Sequence, residues 1–282
     1  MSNTIVLNSS NIILNSGNMS FQYRFQNGSF KIKKGAMMSI KSITMPYAWF
    51  NITTMYSNNS FSYTWVDGSV YTVQLQDGFY QTSDLNNALQ LSMITNGLYL
   101  KDSSGNNVYY LEIIQDINLY GNQLIAFIVP TSLPSGYTAP SGLYAHFYST
   151  PSAITPYFTI PTNNFGSIIG FLAGNYPSTY SATTVGFVSN TTPNLTPVNS
   201  IIVRCNLVDN NCTVPSDILD SFSFQNTNFG SNGIYAPNYP AKVALKEGTY
   251  HYMTFTFVDQ NYNNIYSNDP NSLITLSIHK NF

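Results

Sequence analysis

The sequence predicts an all-β protein, a sandwich or barrel, and three observations predict it. Apolar and aromatic residues recur at every second position through many short runs, the period of half-buried strands. Turn-forming dipeptides separate those runs. Aromatic residues make up 15% of the chain and charged residues only 8%, against roughly 25% charged in an average soluble domain. Polarity comes from Asn, Ser, Thr and Gln instead of ions. That balance matches protein–protein contact surfaces, which are rich in Tyr and Phe and poor in Lys, Glu and Asp. The chain therefore reads as a subunit that buries much of its surface against other copies.

In chain order, Met1-Ser2-Asn3-Thr4 leads into a short strand-like run. Phe21, Tyr23 and Phe25 alternate with Gln22, Arg24 and Gln26, which permits either an edge strand or an arm over residues 1–35. Phe61, Tyr63 and Trp65 form one run and Tyr71, Val73 and Leu75 the next, with Asp67-Gly68 as a hairpin signal between them. Thr82-Ser83-Asp84 offers N-cap side chains. Leu85, Ala88, Leu89 and Met93 follow near helical spacing, and Gly97 comes just after. This predicts one short amphipathic helix over about 83–96. A second short helix or turn starts near Asn164 and runs to Gly170. Prolines are scattered from about 130 to 198, among them Pro130, Pro140, Pro156, Pro161 and Pro177. Proline removes ladder donors, so this stretch reads as long ordered loops with a few edge strands, kept in place by Tyr144, Phe147, Tyr148, Tyr157, Phe158, Phe171 and Tyr176. Ile201, Val203, Cys205 and Leu207, then Met253, Phe255 and Phe257, then Ile274, Leu276 and Ile278 complete the strand runs.

A formal net charge of −2 gives no strong field for nucleic acid or an acidic membrane. The one basic cluster, Lys31, Lys33, Lys34 and Lys41, reads as a solvated strand end and turn, with a patch facing packaged nucleic acid as the alternative. No apolar stretch approaches the ~20 residues of a membrane helix, and no secretory signal is visible. Sequons at Asn18, Asn27, Asn51 and Asn194 are expected by chance in so Asn-rich a chain. Cys205 and Cys212 flank a turn-like stretch that a disulfide can span, but an intracellular setting predicts free thiols.

The catalytic inventory is thin. His146, His251 and His279 are far apart, and His251 reads as a satisfied core or edge histidine. Zinc, calcium, P-loop and nucleophile-elbow patterns are absent from the sequence. Glu112 and Glu247 are the two glutamates. Glu112 reads as a strand residue, though paired with an aspartate it would suit a glycosidase. Asp67, Asp77, Asp84, Asp209, Asp259 and Asp269 fall at turns or caps. Trp49 and Trp65 read as core, while a jelly roll that stacks exposed aromatics on sugars is the competing use. No catalytic, cofactor or metal residue is assigned, and no cofactor is expected.

Several segments together resemble a family. Asp77-Gly78-Phe79-Tyr80 followed by Thr82 to Leu89 looks like the junction before the helix in jelly-roll capsid proteins of large eukaryotic DNA viruses. Ser39 to Met45 through Trp49 to Ile52 fits a first barrel strand of that group. Pro197 to Val208 and the ending Phe257 to Ile278 resemble late strands of the penton, or minor capsid, proteins of virophages and polinton-like viruses. The resemblance spans about residue 36 to the end. It implies a single jelly roll of two four-stranded antiparallel sheets over 36–282, elaborated at about 130–198. It implies a non-enzymatic capsid protein, located in the virion and assembled inside the host cell. As implied partners it gives itself, as a homopentamer at the icosahedral vertex, the major capsid protein and further minor capsid proteins, with neither sequence-specific nucleic acid nor a membrane span. The alternative is a jelly-roll spike or receptor- or glycan-binding protein.

Overall fold

The computed structural model describes residues 2–116, 118, 120–140, 152–224 and 227–279. His146, Tyr144, Phe147 and Tyr148 lie outside the described residues. The elements begin with strands β1 (Ser2–Leu7), β2 (Ser20–Arg24), β3 (Phe30–Ile32) and β4 (Met37–Pro46). There follow β5 (Ser60–Thr64), β6 (Val70–Gln74), helix α1 (Thr82–Thr95), β7 (Leu100–Lys101), β8 (Asn107–Val108), β9 (Leu111–Asp116) and β10 (Gly121–Ala126). Next are β11 (Tyr157–Ile160), α2 (Phe165–Ile169), β12 (Gly174–Tyr176) and β13 (Val185–Val188). The chain closes with β14 (Ile201–Cys205), β15 (Ile218–Phe222), β16 (Asn232–Tyr235), β17 (Val243–Ala244), β18 (Gly248–Tyr250), β19 (Tyr252–Asp259) and β20 (Leu273–His279).

The chain divides into two compact units, one of Met1–Phe50 with Val198–Phe282 and one of Asn51–Pro197. In the first, one sheet runs β1-β20-β4-β16 and the other β15-β14-β19-β2, with β17 also on β4. Setting aside the short β3, β17 and β18, the first strand pairs with the eighth, the second with the seventh, the third with the sixth and the fourth with the fifth. All pairs are antiparallel. That nested order is a jelly roll, a long hairpin rolled into two sheets. Alternation fixes the faces. Ile5 and Leu7, Ile40 and Ile43, Val203 and Cys205, Phe255 and Phe257, and Leu276 and Ile278 all point into one core. Phe257 sits at its centre, edge-on to Phe21 at 5.9 Å and to Phe255 at 5.4 Å.

The boundaries differ from those expected. Residues 1–35 supply β1 and β2, edge strands of the two sheets. Met37–Pro46 is the third strand of the roll, not its first. Asn51–Pro197 forms its own core between the third and fourth strands of the roll, so the runs at Phe61 and Tyr71 are not strands of it.

In that second unit one sheet runs β12-β11-β5-β6 and another β13-β10-β9. Phe61, Tyr63 and Trp65 from β5 and its turn, Leu111 and Ile113 from β9, Leu124 from β10 and Phe158 from β11 bury together with the helix residues Leu85, Leu89 and Met93. The helix start differs in one detail. Thr82 is buried and donates its hydroxyl proton to Asn122 Oδ1 at 2.9 Å. Asp84 instead supplies the cap, accepting from the Gln81 N–H at 2.9 Å. Gly97, at φ +68°, ends the helix in the left-handed region that glycine tolerates. Between 130 and 198 the reading of edge strands holds for β12 and β13 but not for β11, which lies between β12 and β5. Pro156 and Pro161 bracket β11 without entering it, so no ladder donor is lost.

Candidate functional site

The candidate catalytic residues do not converge. Glu112 is half-buried on β9 opposite Ile125, and burial raises its pKa. The next carboxylate on that strand, Asp116, is four residues on, about 13 Å at strand rise, and its Oδ2 accepts from Gln123 at 2.8 Å. That exceeds the roughly 5–9.5 Å of a glycosidase pair. Glu247 is exposed. His251 is exposed, so the edge reading applies to it and the core reading does not. It falls in the gap between β18 and β19, and its Nδ1 lies 2.6 Å from the Gly28 carbonyl oxygen. His279, at the end of β20, bonds Ser39 Oγ at 2.9 Å. Burial, then the charges of Lys242 and Lys41, hold its pKa below the usual imidazole value.

Aspartates serve the backbone. Asp77 Oδ1 accepts from Thr54 N–H at 2.7 Å, Asp259 Oδ1 from Asn261 and Asn263 N–H at 2.8 Å each, Asp269 Oδ1 from Asn271 N–H at 2.9 Å, and Asp67 Oδ1 from Ser69 N–H at 2.8 Å. Among the described residues no group of three or more His, Cys, Asp or Glu is placed to hold a metal. No helix among them is long and apolar enough to cross a membrane. Trp49 and Trp65 are both buried, each in the core of its own unit.

The cysteines are free, Cys205 buried in β14 and Cys212 exposed. Burial pushes the Cys205 thiol up to about 12, which suppresses the reactive thiolate. One thiol per chain is expected to react with a maleimide in the native protein, with a second appearing only on unfolding. Peptide mapping of the labelled site should give Cys212.

Two surfaces remain. On the first unit, the outward face of the β1-β20-β4-β16 sheet carries the cross-strand row Leu273, Thr44, Ile234 beside Val6, Thr275 and Ser42. Ile234 is 70% exposed, Val6 49% and Leu273 47%. This half of the sheet is uncharged. Sequence alternation marks such residues as facing one side, but only the register brings them into one row. On the second unit an open groove of about 530 Å³ is lined by Phe79, Gln81, Asn86, Asn87, Ile113 and Gln115, among others. Asn86 Oδ1 accepts from the Ile113 N–H at 2.9 Å.

No family model matches the sequence, and no curated protein matches it. Among solved structures the chain is similar to the mavirus penton protein, with a TM-score of 0.46 and 10% identity over 99% of this chain and 98% of that one. It is also similar to a chain of the Sputnik virophage solved by cryo-EM, with a TM-score of 0.34 and 14% identity over 99% and 96%. The jelly roll itself stands on the pairing order of its eight strands.

Proposed function

We propose that this protein is a structural capsid subunit that closes into a pentamer at the vertex of an icosahedral particle and contacts the major capsid protein around it. The observation that carries the reading is the uncharged outward sheet face with Ile234, Leu273 and Val6 exposed together. Aliphatic side chains grouped on a strand surface gain about 25 cal/mol per Å² when a neighbour covers them. A low charge density limits repulsion between crowded copies, and a head-to-tail contact closes into a ring when its rotation divides the circle. The sequence resemblance to penton proteins supplies the fivefold number. The reading makes the protein a non-enzyme located in the virion.

Sedimentation velocity on the purified protein tests this. The expected result is a species of five times the 31.4 kDa chain mass, growing with concentration. A monomer throughout would contradict it. The second reading, receptor or glycan binding, is favoured by the amide-lined groove beside Phe79. A trimer with affinity for sugars would select that reading.

A further inference from the structure

The charges of this chain are divided between its two units. Of ten Lys and Arg, only Lys101 falls within Asn51–Pro197. Six of the twelve acids fall there (residues 67, 77, 84, 102, 112 and 116). One base against six acids leaves that unit at a formal −5. Nine bases against six acids leave the jelly roll at +3, and the two values sum to the −2 of the whole chain.

Within the jelly roll the lysines collect at one end. Lys31 lies in β3, and Lys33 and Lys34 form the turn into β4, which the Ala36 N–H closes onto the Lys33 carbonyl at 3.1 Å. The returning chain lies alongside. Thr249 opposes Lys31, the Leu245 N–H donates to the Ala36 carbonyl at 2.9 Å, and Val243 opposes Met38. That pairing brings Lys242 and Lys246, some two hundred residues away in sequence, to the cluster that the sequence shows as four residues. Lys41 occupies the bulge of β4 and donates to Thr4 Oγ1 at 3.0 Å across β20. Lys41 and Lys242 both act on His279, which opposes Met37 beside the Val243–Met38 pair. The carboxylates in this neighbourhood are Glu247, Asp209 and Asp217, the last of which acts with Lys246 on Cys205 and is held by Arg204. None of the six lysines forms an ion pair with a described residue, whereas Arg204 in the same unit is fully engaged with Asp217 at 2.8 Å. Hydroxyl groups of Thr4 and Thr249 stand among them, the short donors that accompany lysine on phosphates.

We propose that the Met37 end of the jelly roll, carrying Lys31, Lys33, Lys34, Lys41, Lys242 and Lys246, binds the phosphate backbone of nucleic acid without reading its sequence. Six ammonium groups without an ion pair to a described residue match a polyanion, and backbone neutralisation needs no base contact. The exposed aliphatics that a lipid surface would require lie elsewhere, toward the Pro46 end of the sheet.

Fluorescence anisotropy of the whole protein with a labelled 30-base-pair DNA duplex tests this, on whatever oligomer the protein forms, so its outcome is separate from that of the vertex reading. Binding is expected to weaken about a hundredfold between 50 and 200 mM salt, the slope for roughly four phosphates neutralised. The triple variant Lys31→Glu, Lys33→Glu, Lys34→Glu should lose at least tenfold in affinity, with circular dichroism unchanged because all three side chains are exposed. Lys101→Glu should bind as the parent does. No duplex binding at low salt, or an equal loss in the Lys101 variant, overturns the proposal. So does binding confined to phosphatidylserine vesicles, which would assign the face to a membrane.

Discussion

Phe257→Ala is expected to destabilise the jelly roll by about 3–5 kcal/mol, the range for removing a buried aromatic ring from a core that cannot collapse. Phe257 is fully buried on β19, an interior strand with β14 on one side and β2 on the other. Its ring meets Phe21 on β2, Phe255 on its own strand and Phe222 on β15. Removing it takes the edge-to-face partner from all three, and those rings cannot move inward without leaving their own strands. Urea denaturation should show the loss as a lower midpoint at unchanged slope. Thr249→Ala, at an exposed position in the same unit, should change stability by less than about 0.5 kcal/mol. A loss below about 1 kcal/mol for Phe257→Ala would mean that the ring does not hold this core together.

Asn51→Ala is expected to cost about 3 kcal/mol or more, by a different physics. Asn51 is 1% exposed and stands at the entrance of the second unit. Its amide donates to the carbonyls of Tyr80 at 2.8 Å and Leu195 at 2.9 Å, and its Oδ1 accepts from the Tyr80 N–H at 2.8 Å. One side chain therefore ties the first and last segments of the unit to the start of the helix junction. Alanine leaves three partly buried backbone groups without these partners, and a group shut from water costs about 1–3 kcal/mol. Hydrogen exchange should report increased opening at Tyr80. Asn51→Asp keeps the acceptor but turns a carboxylate oxygen toward the Tyr80 and Leu195 carbonyls, so it should cost at least as much as alanine. Asn51 is also the acceptor residue of a sequon, and its buried, bonded amide is unavailable to a glycosyltransferase in the folded protein.

The strand cores were legible because alternation is local. Ile201 to Leu207, Met253 to Phe257 and Ile274 to Ile278 each show their buried face within one run, and the structure buries those faces. The helix was legible for the same reason, since Leu85, Leu89 and Met93 sit a turn apart. Pairing was not legible. Nothing in residues 2–7 marks β20 as their partner, because register across 270 residues depends on the whole fold. The division at Asn51 and Pro197 escaped because the strands of both units share one period and one composition. The prolines misled at β11, where their position outside the strand mattered more than their number. The candidate surfaces were the least legible part. Ile234 looks like any strand residue until β4 lies beside it, and Lys242 joins Lys41 only because β17 returns to Met38.

The central claim is that identical copies of this jelly roll close around a fivefold axis. Cryo-EM class averages of the purified protein, or of the vertices of particles that contain it, measure this most directly. The account predicts rings of five copies. Averages showing single copies or threefold clusters, together with vertices built from another protein, would contradict it.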